Sequence, residues 1–160
     1  MEKAVLIINN IFKKIIASLI GLFTLVIVAN VISRYIFNRS MTWSAQAVSY
    51  FMLWAALIGV VILVNRGENL SIDIFRELIK GKSSYILRLL ISLASLFFFI
   101  ILTFYGALLV IQTRGQIVSS MRFLPMNFIY LIIPLSGILM ILGEVVQIIR
   151  IYFDWRGVTK

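Results

Sequence analysis

Four apolar runs, at about Ile15 to Ile36, Ala47 to Val64, Leu89 to Ile111 and Phe128 to Ile149, fill most of a 160-residue chain. Each is close to the roughly 20 residues that a helix needs to cross a bilayer. Hydrocarbon offers no partner for a free N–H or C=O, so runs of this length and leucine and isoleucine content must be helical. The dyad alternation of a membrane β-strand is absent. A soluble four-helix bundle would need a polar stripe on every helix. Leu89 to Ile111 offers only Ser92, Ser95, Thr103, Tyr105 and Gly106 outside its aliphatic and phenylalanine positions. The expected fold is an all-α integral membrane protein. One domain, residues 1–160, holds a bundle of four transmembrane helices at about 15–36, 47–64, 85–111 and 128–149.

The basic residues divide unevenly among the connections. Lys3, Lys13 and Lys14 precede the first run, Arg66, Arg76, Lys80, Lys82 and Arg88 separate the second from the third, and Arg150, Arg156 and Lys160 follow the fourth. These make 11 on one side, against Arg34, Arg39, Arg114 and Arg122, which make 4 on the other. Short loops rich in Lys and Arg stay cytoplasmic. Both termini and the middle connection are therefore expected inside, on the cytoplasmic face, and the first and third connections on the opposite face. The net charge of +9 then reads as attraction to anionic membrane lipid, with no nucleic-acid partner. The first run spans 22 residues and carries Asn30, Ser33 and Arg34 near its end in place of a small-residue cleavage site, so it is expected to be retained.

Composition narrows the chemistry. The chain holds no His and no Cys, which removes bis-histidine haem, thiol redox chemistry and histidine-assisted serine proteolysis. Of Glu2, Glu68, Asp73, Glu77, Glu144 and Asp154, only Glu144 lies within a run, so no acid pair can share proton transfer at the midplane. Neither an enzyme nor a cofactor is expected. Glu144 lies five residues before Ile149, about 7 to 8 Å from the cytoplasmic end. The expectation is that it meets headgroups or pairs with Arg88, Lys13 or Lys14. Ion or proton handling is the rival reading.

Between the second and third runs, Ile74, Phe75, Leu78 and Ile79 share one helical face and Asp73, Arg76, Glu77 and Lys80 another. At about twelve residues this stretch is too short and too charged to span. An amphipathic interfacial helix over about 70–80 is expected. A weaker pattern in Val5 to Ile16 points to an N-terminal stretch lying partly along the same surface. On the opposite side, Arg34, Arg39, Arg114 and Arg122 stand without any acid, a face suited to steering an anionic solute or docking an acidic protein; the alternative reading is that Arg34 snorkels from its helix end and the other three are simply solvated. Tyr35 and Trp43 fit an interfacial aromatic belt. Ala17 with Gly21, and Ala55 with Gly59, have the spacing that lets helices approach closely, and Asn30 and Arg34 share a face from which to bond a neighbouring helix. Pro134 should kink the fourth helix. Half-helix pairs, an inverted repeat and a central ion cluster, the marks of an autonomous carrier, are not visible.

Several segments carry a family resemblance. Asn30-Val31-Ile32-Ser33-Arg34-Tyr35-Ile36-Phe37-Asn38, then Trp43, Trp54 and Gly59, resembles the first half of the small membrane subunits of tripartite ATP-independent periplasmic (TRAP) transporters. Arg66-Gly67-Glu68-Asn69-Leu70-Ser71-Ile72-Asp73 is similar to the segment after their second helix. Leu124-Pro125-Met126 with Tyr130, Pro134 and Gly137 is similar to the entrance of their fourth. The chain departs from many relatives at Ser44, Ala45 and Gln46, where they carry acids, and at Asn69, where they carry histidine. Gln46 keeps the ability to accept hydrogen bonds near the outer interface.

The resemblance implies a system in which a periplasmic solute-binding protein captures an organic acid, such as a sialic acid or a dicarboxylate. A large, many-helix permease subunit then moves it inward with sodium. The small subunit braces the large one, and substrate and sodium sites lie in the other polypeptide. Within such a role, Asn30, Trp43, Gln46, Trp54, Gly59 and Glu144 are expected to pack the bundle or the subunit contact, and the four outer arginines to seat the binding protein. A small multidrug-type exporter and a non-transport membrane adaptor are the alternatives. The first run lacks the acid that such an exporter uses.

Overall fold

The structure, a computed structural model, describes residues 2–67 and 82–155. Helix α1 spans Glu2–Ile36, α2 Ser44–Arg66 and α3 Lys82–Gln112; strands β1, Ile117–Val118, and β2, Met121–Pro125, precede the short helix α4, Met126–Tyr130, and α5, Ile132–Trp155. Four helical stretches, Ile8–Ile36, Ser44–Arg66, Tyr85–Gln112 and Met126–Phe153, are long and apolar enough to cross a membrane. The expected interfacial helix, with Ile74, Phe75, Leu78 and Ile79, lies outside the described residues.

Helix α1 corrects one expectation. Its 35 residues run without interruption, so Val5 to Ile16 continues into the span as part of one helix. Sharp bends in helices need a proline, a glycine-containing weak point or a bulge. The stretch before Gly21 has neither proline nor glycine.

The helices do not close around a common centre. Among the described residues, α1 packs along α2, α2 against α5 and α5 against α3, while α1 has no comparable contact with α3 or α5. The arrangement is a row, α1–α2–α5–α3, where a bundle was expected. In lipid no hydrophobic force gathers helices into a round cluster, so neighbours are held by local packing and by interhelical hydrogen bonds. Two buried clusters tie the row together. At one end Ala47, Val118, Met121 and Ile129 pack together, flanked by Val26, Tyr50 and Phe51. Towards the other end, Val61, Val64, Phe99 and Met140 form the second, with Phe12, Leu57, Leu102 and Ile141 around it.

Close approach between helices falls where small residues leave room, but not at the expected pairs. At Gly21 and Gly59 an added Cβ would meet nothing within 4 Å. At Gly137 it would overlap the Thr103 hydroxyl and lie 3.3 Å from the Thr103 Cα, and at Gly143 it would come within 2.6 Å of Asn65 Oδ1. These two glycines bring α5 onto α3 and onto α2. The end of α2 is closed by Gly67 in the left-handed region at φ 68°, its N–H bonded to carbonyls of the last turn.

The expected bend at Pro134 takes the form of an interruption. Helix α4 stops at Tyr130 and α5 begins at Ile132, with Leu131 between them. Pro134 has no N–H to offer the Tyr130 carbonyl four residues earlier, so the helical ladder breaks there and restarts with proline in its first turn.

Candidate functional site

One end of the row is built from the α1–α2 connection and from the β1–β2 hairpin. The strands pair antiparallel, Val118 opposite Met121 and Ile117 opposite Pro125, with an irregularity between Ile117 and Val118. The buried side chains of Val118 and Met121 fold the hairpin back over Ala47 of α2 and Ile129 of α4. Ser120 Oγ donates to Gln46 Oε1 at short distance. The Met126 N–H donates to the Gln116 carbonyl at 3.0 Å. The loop is therefore fastened at its tip and at its base.

The α1–α2 connection is fixed as firmly. Asn38, at φ 50°, takes the left-handed conformation that asparagine tolerates better than most residues. The N–H groups of Phe37 and Arg39 both donate to the Ser33 carbonyl at 3.1 Å, and Ser33 Oγ donates to the Arg39 carbonyl at 2.6 Å. Asn30 Oδ1 accepts the Met41 N–H at 3.0 Å. Asn30 thus holds this connection, where a bond to a neighbouring helix was expected. Trp43 occupies the position before α2 and its carbonyl accepts the Ala47 N–H at 3.0 Å.

Arg34, Arg39 and Arg114 are exposed. Arg114 is followed by Gly115 at φ 81°, a turn that leads the chain into β1. Arg122 belongs to β2, and its side chain is outside the described set. Neither connection carries an Asp or Glu, so the end presents positive charge on a fixed backbone. Trp54 braces it from below, its indole N–H donating to the Ile129 carbonyl at 3.0 Å and its ring 6.1 Å from that of Phe128.

Glu144 lies toward the other end, on the face of α5 that meets α3. It is fully buried, at 0 % exposure, as is Ser92 at 1 %. Neither carboxyl oxygen has a hydrogen-bond partner at good geometry among the described residues. Ser92 faces the carboxyl across the helix contact. The expected partners are elsewhere. The Arg88 guanidinium lies over the Tyr85 ring, 6.0 Å from its centre, because a helical side chain leans toward the N-terminus of its own helix and so away from the level of Ser92. Lys13 and Lys14 are exposed on α1, which packs on α2. Reach to headgroups is closed off by the burial itself.

Sequence reasoning passed over Ser33, Ser92, Thr103 and Ser120. A signal for the hairpin existed: Ile117-Val118 and Met121 flank the two polar residues Ser119-Ser120, a short apolar run on each side of a two-residue turn. Among the described residues no three His, Cys, Asp or Glu side chains gather as metal ligands would.

Comparison with known proteins agrees with this architecture. The chain is 23 % identical over 154 residues to a Haemophilus influenzae protein described as a TRAP transporter small permease, a match that covers 96 % of this chain and 95 % of that one. It is 32 % identical over 66 residues, 41 % of this chain and 28 % of the other, to the C4-dicarboxylate TRAP transporter small permease protein DctQ of Vibrio cholerae. The family model for the DctQ component of tripartite ATP-independent periplasmic transporters matches residues 23–154. With four spanning helices and a match over most of its length, the chain is a multi-pass membrane protein that belongs to the DctQ family of TRAP transporter small permease components.

Proposed function

We propose that this chain braces a large, many-helix permease subunit during sodium-coupled uptake of an organic acid, a carboxylate such as a sialic acid or a dicarboxylate. A periplasmic solute-binding protein delivers that acid. The observation that supports this reading best is the row of helices, which leaves long apolar faces uncovered by the described residues: of the first span's most apolar window, 0 % is buried. A broad, flat array resists tilting better than a round bundle of the same size, and resistance to tilt is what a moving carrier domain demands of its support. The family assignment weighs against the exporter and adaptor alternatives.

In this reading the chain sits in the bacterial inner membrane with both termini cytoplasmic, and the hairpin end faces the periplasm. There Arg34, Arg39, Arg114 and Arg122 seat the acidic surface of the binding protein, while Asn30, Trp43, Gln46, Trp54, Gly59 and Glu144 serve packing within the chain or against the large subunit. Co-expression with the large permease should yield a stable complex on affinity purification. Vesicles holding both subunits should accumulate solute on addition of loaded binding protein and sodium, and vesicles holding this chain alone should not. Accumulation by this chain alone would end the proposal. Reversing charge at Arg39 and Arg122 together should slow uptake at limiting binding protein, most at low salt, where surface charges are least screened.

A further inference from the structure

Helices α1 and α5 both lean on α2 but not on each other, which leaves a groove in front of α2 at the end of the row opposite the hairpin. Ile8 and Phe12 of α1 line one wall, Leu139, Leu142 and Val146 of α5 the other, and Arg150 stands at its mouth. We propose that this groove holds an acyl chain of an anionic phospholipid whose phosphate rests on Arg150.

Length, width and charge each favour that occupant. From Leu139 to Arg150 is eleven residues of α5, about 16 Å at the usual helical rise. Half of a hydrocarbon core about 30 Å thick is nearly the same distance. The apolar wall therefore spans one leaflet, and Arg150 falls at the level of its headgroups. The groove volume is about 210 Å³. That volume is filled by part of a slender hydrocarbon chain and falls far short of a partner's transmembrane helix, about 10 Å across with its side chains. Among the described residues its lining includes no carboxylate, and a guanidinium offers phosphate oxygens two parallel donors. Leu142 and Val146 remain well exposed at 59 % and 45 %, as a wall waiting for such a cover would be.

The test is native mass spectrometry of the full chain released from detergent, with dioleoylphosphatidylglycerol and dioleoylphosphatidylcholine as competing probes. Wild type should retain one phosphatidylglycerol in preference. Arg150→Gln should lower that preference about fivefold, the effect of one basic residue near an anionic headgroup, and Arg150→Lys should keep most of it. Leu142→Trp and Val146→Trp, each at an exposed position and each checked for wild-type helicity, should expel both lipids by filling the groove. Arg114→Gln, at the hairpin end, should change nothing. Equal retention in Arg150→Gln, or undiminished lipid in the two tryptophan variants, would overturn the assignment. So would crosslinking of Val146→Cys to the large permease, in the assembled complex, in place of a photoreactive phospholipid.

Discussion

An indole donor bonded to a carbonyl 75 residues away in sequence fixes Trp54 of α2 against the end of α4. A helix end leaves carbonyls without partners, and the break ahead of Pro134 creates such an end inside an apolar setting. Trp54→Phe keeps the ring beside Phe128 but strands the Ile129 carbonyl. A loss of about 1 kcal/mol is expected, within the range for one hydrogen bond in a membrane protein, and should appear as a lowered melting temperature in detergent by circular dichroism. Glu144 presents the opposite case, a buried carboxyl that faces Ser92 but has no hydrogen-bond partner at good geometry among the described residues. Glu144→Gln removes the charge and keeps the volume, so its melting temperature should equal or exceed that of wild type, while Glu144→Lys should fail to accumulate in the membrane because an unpaired ammonium there is costly. A clear drop for the glutamine variant would mean that the carboxylate has a partner it needs.

At the level of helices, contact between α3 and α5 depends on Gly137 lying over Thr103. Gly137→Ala should overlap that hydroxyl and destabilise the pair by roughly 1–3 kcal/mol, as overpacking does. Gly59→Ala, facing open space, should leave the melting of the isolated chain unchanged; if it also leaves the complex with the large subunit intact, Gly59 has no packing role there. The spans were legible in the sequence because hydrocarbon imposes a length and a composition that a linear scan detects. Which small residues mediate contact was not, since Gly59 and Gly137 differ in what stands opposite, open space for the first and Thr103 for the second. The hairpin was missed for a related reason: two residues of β1 carry little periodic signal, and Val118 becomes a core residue only once the loop folds back over α2. Glu144 was flagged correctly as unusual, but its surroundings depend on helix order, which spacing within one helix does not encode.

For the molecule as a whole, the proposed orientation in the membrane rests on the 11-to-4 division of basic residues. The chain contains no Cys, so single-cysteine reporters are clean. Arg39→Cys should react with a membrane-impermeant maleimide in intact spheroplasts, and Lys160→Cys only after permeabilisation. The reverse pattern would invert every assignment of end to compartment made above. The row of helices could not be read from the chain, because four apolar runs are compatible with a row or a ring. Contact order among helices emerges from side-chain fit alone.

Two hydrogen bonds and a buried pair of side chains, Val118 and Met121, hold the β1–β2 hairpin before any other protein arrives. A visitor landing there meets a surface that forfeits little conformational freedom on contact. In the docking proposed above, residence is then set by ionic attraction rather than by the slow ordering of a loose segment, an arrangement that would suit a guest with cargo to unload before it leaves.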